Sequence, residues 1–204
     1  DGDRSTFNDD ERRIILEVWQ RVAEDYAPFN VDVTTENPGP DALFGTFTGD
    51  THYGAWVVFE DAGYAGWYGT PAGGVAYTSS FGEQTHQPAW IFNPKIKKNP
   101  KYMAEAASHE AGHTLGLQHQ SVYDNNCVKV SDYNYGNGSG EIGWAPIMGV
   151  GYYRNLTLWH NGPNPFGCNN FQSDLDIITT NNGFGFRPDD HGNNIGTATT
   201  VSLS

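Results

Sequence analysis

The stretch His109-Glu110-Ala111-Gly112-His113-Thr114-Leu115-Gly116-Leu117-Gln118-His119 constrains this chain more than any other. His109 and His113 stand four residues apart, so on a helix they share one face and converge on one point. Neutral imidazoles at that spacing ligate zinc well. Gly116 lets the chain leave the helix in a conformation that residues with a Cβ resist, and the turn brings His119 back toward the same point. Three protein ligands leave a tetrahedral ion one position for water, which marks a catalytic site and not a structural one. Glu110 follows the first ligand, and its carboxylate reaches that water without ligating. Zinc brings the water's pKa to roughly 7. Glu110 is the general base expected to take its proton and pass it to a leaving amine. Five fixed positions recur by chance in roughly one chain in tens of thousands, so a helix with incidental histidines is the weaker reading.

The flanking pattern supplies a frame for that helix. Asn8-Asp9-Asp10-Glu11 resembles a capping box, and Ile14, Ile15, Val18, Trp19, Val22 and Tyr26 recur at helical spacing after it. The spacing predicts a helix over 9–26. Phe29, Val31 and Val33 alternate with polar residues and predict a strand. The apolar run 55–59 reads as a buried strand, and 75–81 and 89–92 as two more, separated from it by a loop rich in glycine. The alanine-rich, proline-free segment 101–117 predicts the second long helix, which carries the histidines. From Gln118 onward Asn, Gly, Tyr and Asp dominate and periodicity fades. Ser173-Asp174-Leu175-Asp176 then caps a short helix running to about 180. The fold class expected is α/β (α+β).

The histidine motif, extended to its third ligand, resembles that of the metzincin clan of zinc peptidases. The clan has a methionine turn below the metal, and Trp144-Ala145-Pro146-Ile147-Met148-Gly149 resembles it. The resemblance implies that Met148 is an apolar floor under the imidazoles and not a ligand. It implies an upper subdomain, 1–119, with a twisted mixed sheet and two long helices, and an irregular lower subdomain, 120–186, with a short C-terminal helix. It also implies an endopeptidase whose protein or peptide substrate lies as an extended strand along a sheet edge, expected at 75–81. Astacin-like and serralysin-like members place a tyrosine two residues after the methionine. Here that position is Val150, and Tyr152 and Tyr153 become the candidates for a cleft or oxyanion role beside packing of the lower core. Gln120 follows His119, where named subfamilies have their own residues, so no subfamily is assigned.

Charge narrows the partners. The net charge is −13, and a nucleic-acid partner needs a basic face that such a chain lacks. Lys95, Lys97, Lys98 and Lys101 form the only basic cluster, read as a solvated loop. No stretch approaches the roughly 18 apolar residues of a membrane span. Cys127 and Cys168 are the two cysteines. They form no Cys-x-x-Cys pair, and a disulfide between them would fit an oxidising, extracellular compartment. Asp1 reads as a mature or trimmed start, and the chain is expected to be secreted and monomeric. Asp132, Asn134, Asn137 and Glu141 offer oxygen ligands for Ca2+, but their spacing departs from the helix–loop–helix pattern and a plain loop is preferred. His52, His86, His160 and His191 lack ligand spacing and read as surface or structural residues. The tail 187–204 is polar and turn-rich, a possible start of a further module. Two alternatives stand beside the peptidase: a non-catalytic binding module on the same frame, such as an adhesin or carbohydrate binder, and a zinc hydrolase of non-peptide amides or esters. Intact Glu110 beside three histidines weighs against the binding module.

Overall fold

In the computed structural model, which describes residues 3, 5–43, 45–46, 49–61, 67–83, 85, 87–93, 98–189, 191–192 and 194–200, both long helices start at side-chain caps. Asn8 accepts the Glu11 N–H at 3.0 Å, and the Glu11 carboxylate accepts the Asn8 N–H at 3.0 Å. This capping box opens α1 (Asp9–Asp25). The Asn99 side chain accepts from Tyr102 at 3.3 Å and opens α2 (Pro100–Thr114), with Pro100 in the first turn, where a missing N–H leaves nothing unsatisfied.

The architecture is mixed α+β, with α1 and α2 packed together. Ala104, Ala106 and Ala107 of α2 are buried with Met103 against Val18 of α1 and Ile91. Small side chains on α2 let the neighbouring elements approach it closely. Beside α2 lies a sheet of β1 (Val57–Glu60), β2 (Gly74–Val75) and β3 (Ala89–Phe92), in the order β1-β3-β2. β1 runs parallel to β3 and β2 antiparallel, so the sheet is mixed and β2 is an edge strand.

After α2 the chain forms three small ribbons. β4 (Val122–Tyr123) pairs antiparallel with β5 (Lys129–Ser131), β6 (Trp144–Pro146) parallel with β7 (Leu156–Leu158), and β8 (Asn161–Pro163) antiparallel with β9 (Phe171–Ser173). The short helix α3 (Asp174–Asn181) follows, capped by Ser173. A second apolar cluster joins this part to the helices: Tyr26, Phe29, Ala111, Leu115, Leu117, Ile147, Met148 and Ile178. A disulfide links Cys127 to Cys168, 41 residues apart, with Cα atoms at 5.3 Å. Among the described residues no helix is long and apolar enough to cross a membrane.

Several expectations change. Phe29, Val31 and Val33 form no strand of the sheet. Phe29 is fully buried, as the alternation implies, but its backbone meets the C-terminal segment. It makes a single bridge with Phe186, and Arg187 donates to the carbonyls of Phe29 and Val31 at 2.8 and 2.7 Å. The strand expected over 75–81 stops at Val75. Ser79 and Phe81 instead donate to His113 O and Thr114 O, both at 2.9 Å, because the last carbonyls of a helix need donors from outside it. The strand expected at 55–59 is shifted to 57–60. The second helix ends at Thr114 instead of 117. Lys101 is not in a loop: its ammonium sits 2.9 Å from both Glu105 Oε1 and Gly151 O. Lys98 pairs with Asp61 at 3.0 Å. Lys95, Lys97 and His86 lie outside the described residues.

Candidate metal centre

α2 positions the first half of the site. His109 and His113 project from one face of it, and Gly116, with φ at +100°, turns the chain so that His119 joins them. The ligand nitrogens of His109, His113 and His119 all lie within 4.8 Å of one another. His113 Nε2 is 3.1 Å from His119 Nε2. Nitrogens about 2.0–2.1 Å from one tetrahedral ion stand roughly 3.3 Å apart, so this spacing suits a shared cation. No other group of three or more His, Cys, Asp or Glu among the described residues converges in this way.

Hydrogen bonds decide which nitrogen faces inward. His109 Nδ1 is 2.8 Å from Ile147 O, and His113 Nδ1 is 2.7 Å from Leu117 O. A carbonyl only accepts, so each Nδ1 carries the hydrogen and each Nε2 keeps its lone pair. Burial lowers the pKa of all three rings, and the neighbouring imidazoles lower those of His109 and His119 further. His109 falls well below the usual histidine range and His119 to about 4. The cluster is therefore neutral at pH 7 and able to ligate. These observations fit the residues to a metal ion and leave its identity open.

Glu110 is buried, and burial alone raises its carboxyl to about 8. No hydrogen bond or ion pair reaches that carboxyl from the described residues. Its oxygens are not among the buried atoms that lack a partner, so the carboxyl reaches solvent beside the histidines. A divalent cation nearby would favour its charged form.

Two glycines that the sequence reading did not single out shape the surroundings. A Cβ on Gly74 would stand 2.6 Å from Glu110 Cγ and 2.7 Å from Trp90 O, so β2 passes directly against the Glu110 side chain. A Cβ on Gly112 would stand 2.6 Å from Met148 Sδ. Met148 is fully buried and packs at the step of α2 between His109 and His113. Gly112 is thus the residue that lets the methionine approach.

Of the described aromatic residues, Tyr133 lies closest to the histidines. Its ring centroid is 4.2 Å from that of His119 and 6.3 Å from that of His109. Burial raises its pKa most, followed by the Glu110 and Asp132 carboxylates. A lone tyrosine in an irregular loop carries no spacing signal, so the sequence did not mark it. Tyr152 packs on Tyr102 at 5.1 Å beside the α1–α2 core, and its phenol is raised by burial and then by the Glu110 charge. Tyr153 is 72% exposed. The loop oxygens read as calcium candidates hold their own turns: Asp132 pairs with Lys129 at 2.9 Å, and the Asn134 and Asn137 side chains accept from Gly136 and Gly138. Glu141 lies in the single helical turn Gly140–Ile142. His52 and His191 are exposed, whereas His160 joins a buried polar network described below. No family model, no curated protein and no solved structure matches this chain.

Proposed function

We propose that the chain is a secreted, zinc-dependent endopeptidase of the metzincin type. The observation that supports this most is Glu110, a largely buried side chain whose carboxyl has no hydrogen-bond partner among the described residues and still reaches solvent, on the same helix as two of three converging imidazoles. Three neutral nitrogen donors suit zinc, and His109, His113 and His119 would hold it. When bound, zinc supplies Lewis acidity, bringing a water's pKa near 7 and polarising a carbonyl.

The remaining steps belong to the protein. Glu110 accepts the proton of the attacking water at its carboxylate and delivers it to the amide nitrogen as the C–N bond breaks. Ile147 O and Leu117 O hold His109 and His113 in the tautomer that keeps Nε2 free. Met148 supports the helix beneath them without ligating. The outer edge of β2, which pairs with no strand among the described residues, is one to which an extended peptide can add, and Gly74 brings that edge against Glu110. In this reading α1, α2 and the mixed sheet form the upper subdomain, 120–186 the lower one, and Tyr133 shares the cleft floor with His119. The disulfide fits an oxidising compartment.

Metal analysis with a protein-digestion assay tests the proposal. One zinc per chain is expected, with activity abolished by a chelator and restored by zinc. Full activity in the metal-free sample would overturn it.

A further inference from the structure

The third ligand is held differently from the first two. His109 and His113 are fixed by α2 and by hydrogen bonds from Nδ1. His119 lies outside the helix, and among the described residues its ring has neither nitrogen bonded to a backbone carbonyl; it stands beside Tyr133 and the other two histidines, with the Asp132 carboxylate acting on it electrostatically. With no carbonyl holding its ring, its aim depends on the backbone on either side of it.

That backbone is clamped by side-chain amides. The Gln118 N–H donates to Gln172 Oε1 at 2.8 Å, and Gln172 Nε2 donates to Gln118 O at 2.8 Å. One side chain thus closes both polar groups of the residue before His119. Gln172 Nε2 also donates to Asp174 Oδ1 at 2.9 Å. On the other side, the Gln120 N–H donates to Met148 O at 2.8 Å and Gln120 O accepts from Asn134 at 2.7 Å. Gln120 Nε2 reaches Asp174 Oδ1 at 3.1 Å. Asp174 Oδ2 accepts the His160 N–H at 3.0 Å. Gln120, Gln172 and Asp174 are 0%, 3% and 0% exposed. A buried network of this kind is stable only when every member is satisfied, and it then permits one geometry.

We infer that Gln172, Gln120 and Asp174 are positioning residues for the metal centre, carrying the start of α3 to the backbone on both sides of His119 and fixing that ligand's reach. They touch no substrate and no ligand nitrogen, and act only through the 118–120 segment. The inference rests on the metal-centre reading and extends it to the residues that set affinity.

The test is zinc affinity, measured by competition with a chromophoric chelator, in Gln172→Leu. Zinc binding should weaken at least tenfold, because the neighbours of His119 lose both hydrogen bonds. In a His119→Ala background the same change should alter zinc affinity by less than twofold, since the ligand it positions is gone. Ile178→Val, a buried change in α3 outside the network, should lower the melting temperature of the metal-free chain with zinc affinity within twofold of the parent. If Gln172→Leu does not fold, Asp174→Asn replaces it, with at least a fivefold loss expected. Parent-like zinc affinity in the folded variant would overturn the inference and leave the metal-centre reading standing. An equal loss with and without His119 would also overturn it, by showing a general structural effect. A parent chain that binds no zinc would overturn both.

Discussion

The two halves of the candidate metal centre are built by different physics. His109, Glu110 and His113 sit on α2, where a period of 3.6 residues sets their common face before any tertiary contact forms. His119 reaches the same point through Gly116, a turn, and a clamp made by residues more than 50 positions away in sequence. The helical half is a local object. The loop half exists only when α3 and the ribbons are in place. Chemistry placed on the helix should therefore fail without unfolding the protein, and damage to the lower ribbons should reach the metal through His119.

The largest effect is expected at Glu110, where Glu110→Gln keeps the shape of the side chain and removes the proposed base. Turnover should fall about 100- to 10,000-fold, with zinc retained and substrate affinity changed far less. Steady-state kinetics and metal analysis check this, and loss of zinc in the variant would make Glu110 part of the ligand set. The disulfide lies wholly in the loop half. Cys127→Ser together with Cys168→Ser should lower stability by about 3–4 kcal/mol on entropic grounds. The loss should weaken zinc binding as well, whereas denaturant melts with unchanged zinc affinity would separate the ribbons from the ligand loop.

Gly74→Ala tests how tightly the helical half is shaped by its neighbour. Its Cβ would press on Glu110 Cγ at 2.6 Å and on Trp90 O at 2.7 Å, and with Glu110 as the proposed base, displacing it by about 1 Å should cost roughly 100-fold in rate. Metal content should not change. A variant with parental kinetics would show that β2 and Glu110 part easily.

The smallest effect concerns Asp25, which accepts from Ser108 Oγ at 2.6 Å, one residue before His109. Burial raises its carboxyl from 3.8 to about 7, more than the Ser108 hydrogen bond lowers it. The folded state therefore binds this proton more tightly than the unfolded chain. Its contribution favours folding below about pH 4, declines as the pH rises toward 7, and is a full deficit above 7. Asp25 lines a cavity of about 320 Å³, and a carboxyl reached by solvent realises only part of the shift, on the order of 1 kcal/mol. Asp25→Asn should raise the melting temperature at pH 8, with the difference vanishing near pH 4. A constant difference across that range would point to packing and not to charge.

Several features were legible because they are short-range. The capping box at Asn8, the apolar spacing of α1, the histidine pair and the exit at Gly116 are all encoded within a few residues. Local periodicity and backbone sterics therefore state them directly. So is the cap of α3 at Ser173. A disulfide between the two cysteines is one of two readings the sequence allows, free thiols being the other, and the structure forms the disulfide.

What remained hidden depends on contacts between distant segments. Alternation at Phe29, Val31 and Val33 indicates burial of one face, but the partner of that backbone is Arg187 and the segment before it, not the sheet. Residues 76–81 have strand-like side chains, yet their amides close the end of α2. Gly74 and Gly112 look like ordinary glycines until Glu110 and Met148 are seen against them. Tyr133, Gln120, Gln172 and Asp174 lack any repeating pattern, because each is selected by one partner in space. The sequence by itself determined the helix, the donor set and the acid beside it, since these follow from period and residue chemistry. Only the tertiary structure decided which strand edge faces Glu110, which ring covers His119 and what aims that ligand, because each depends on how segments separated by tens of residues pack together.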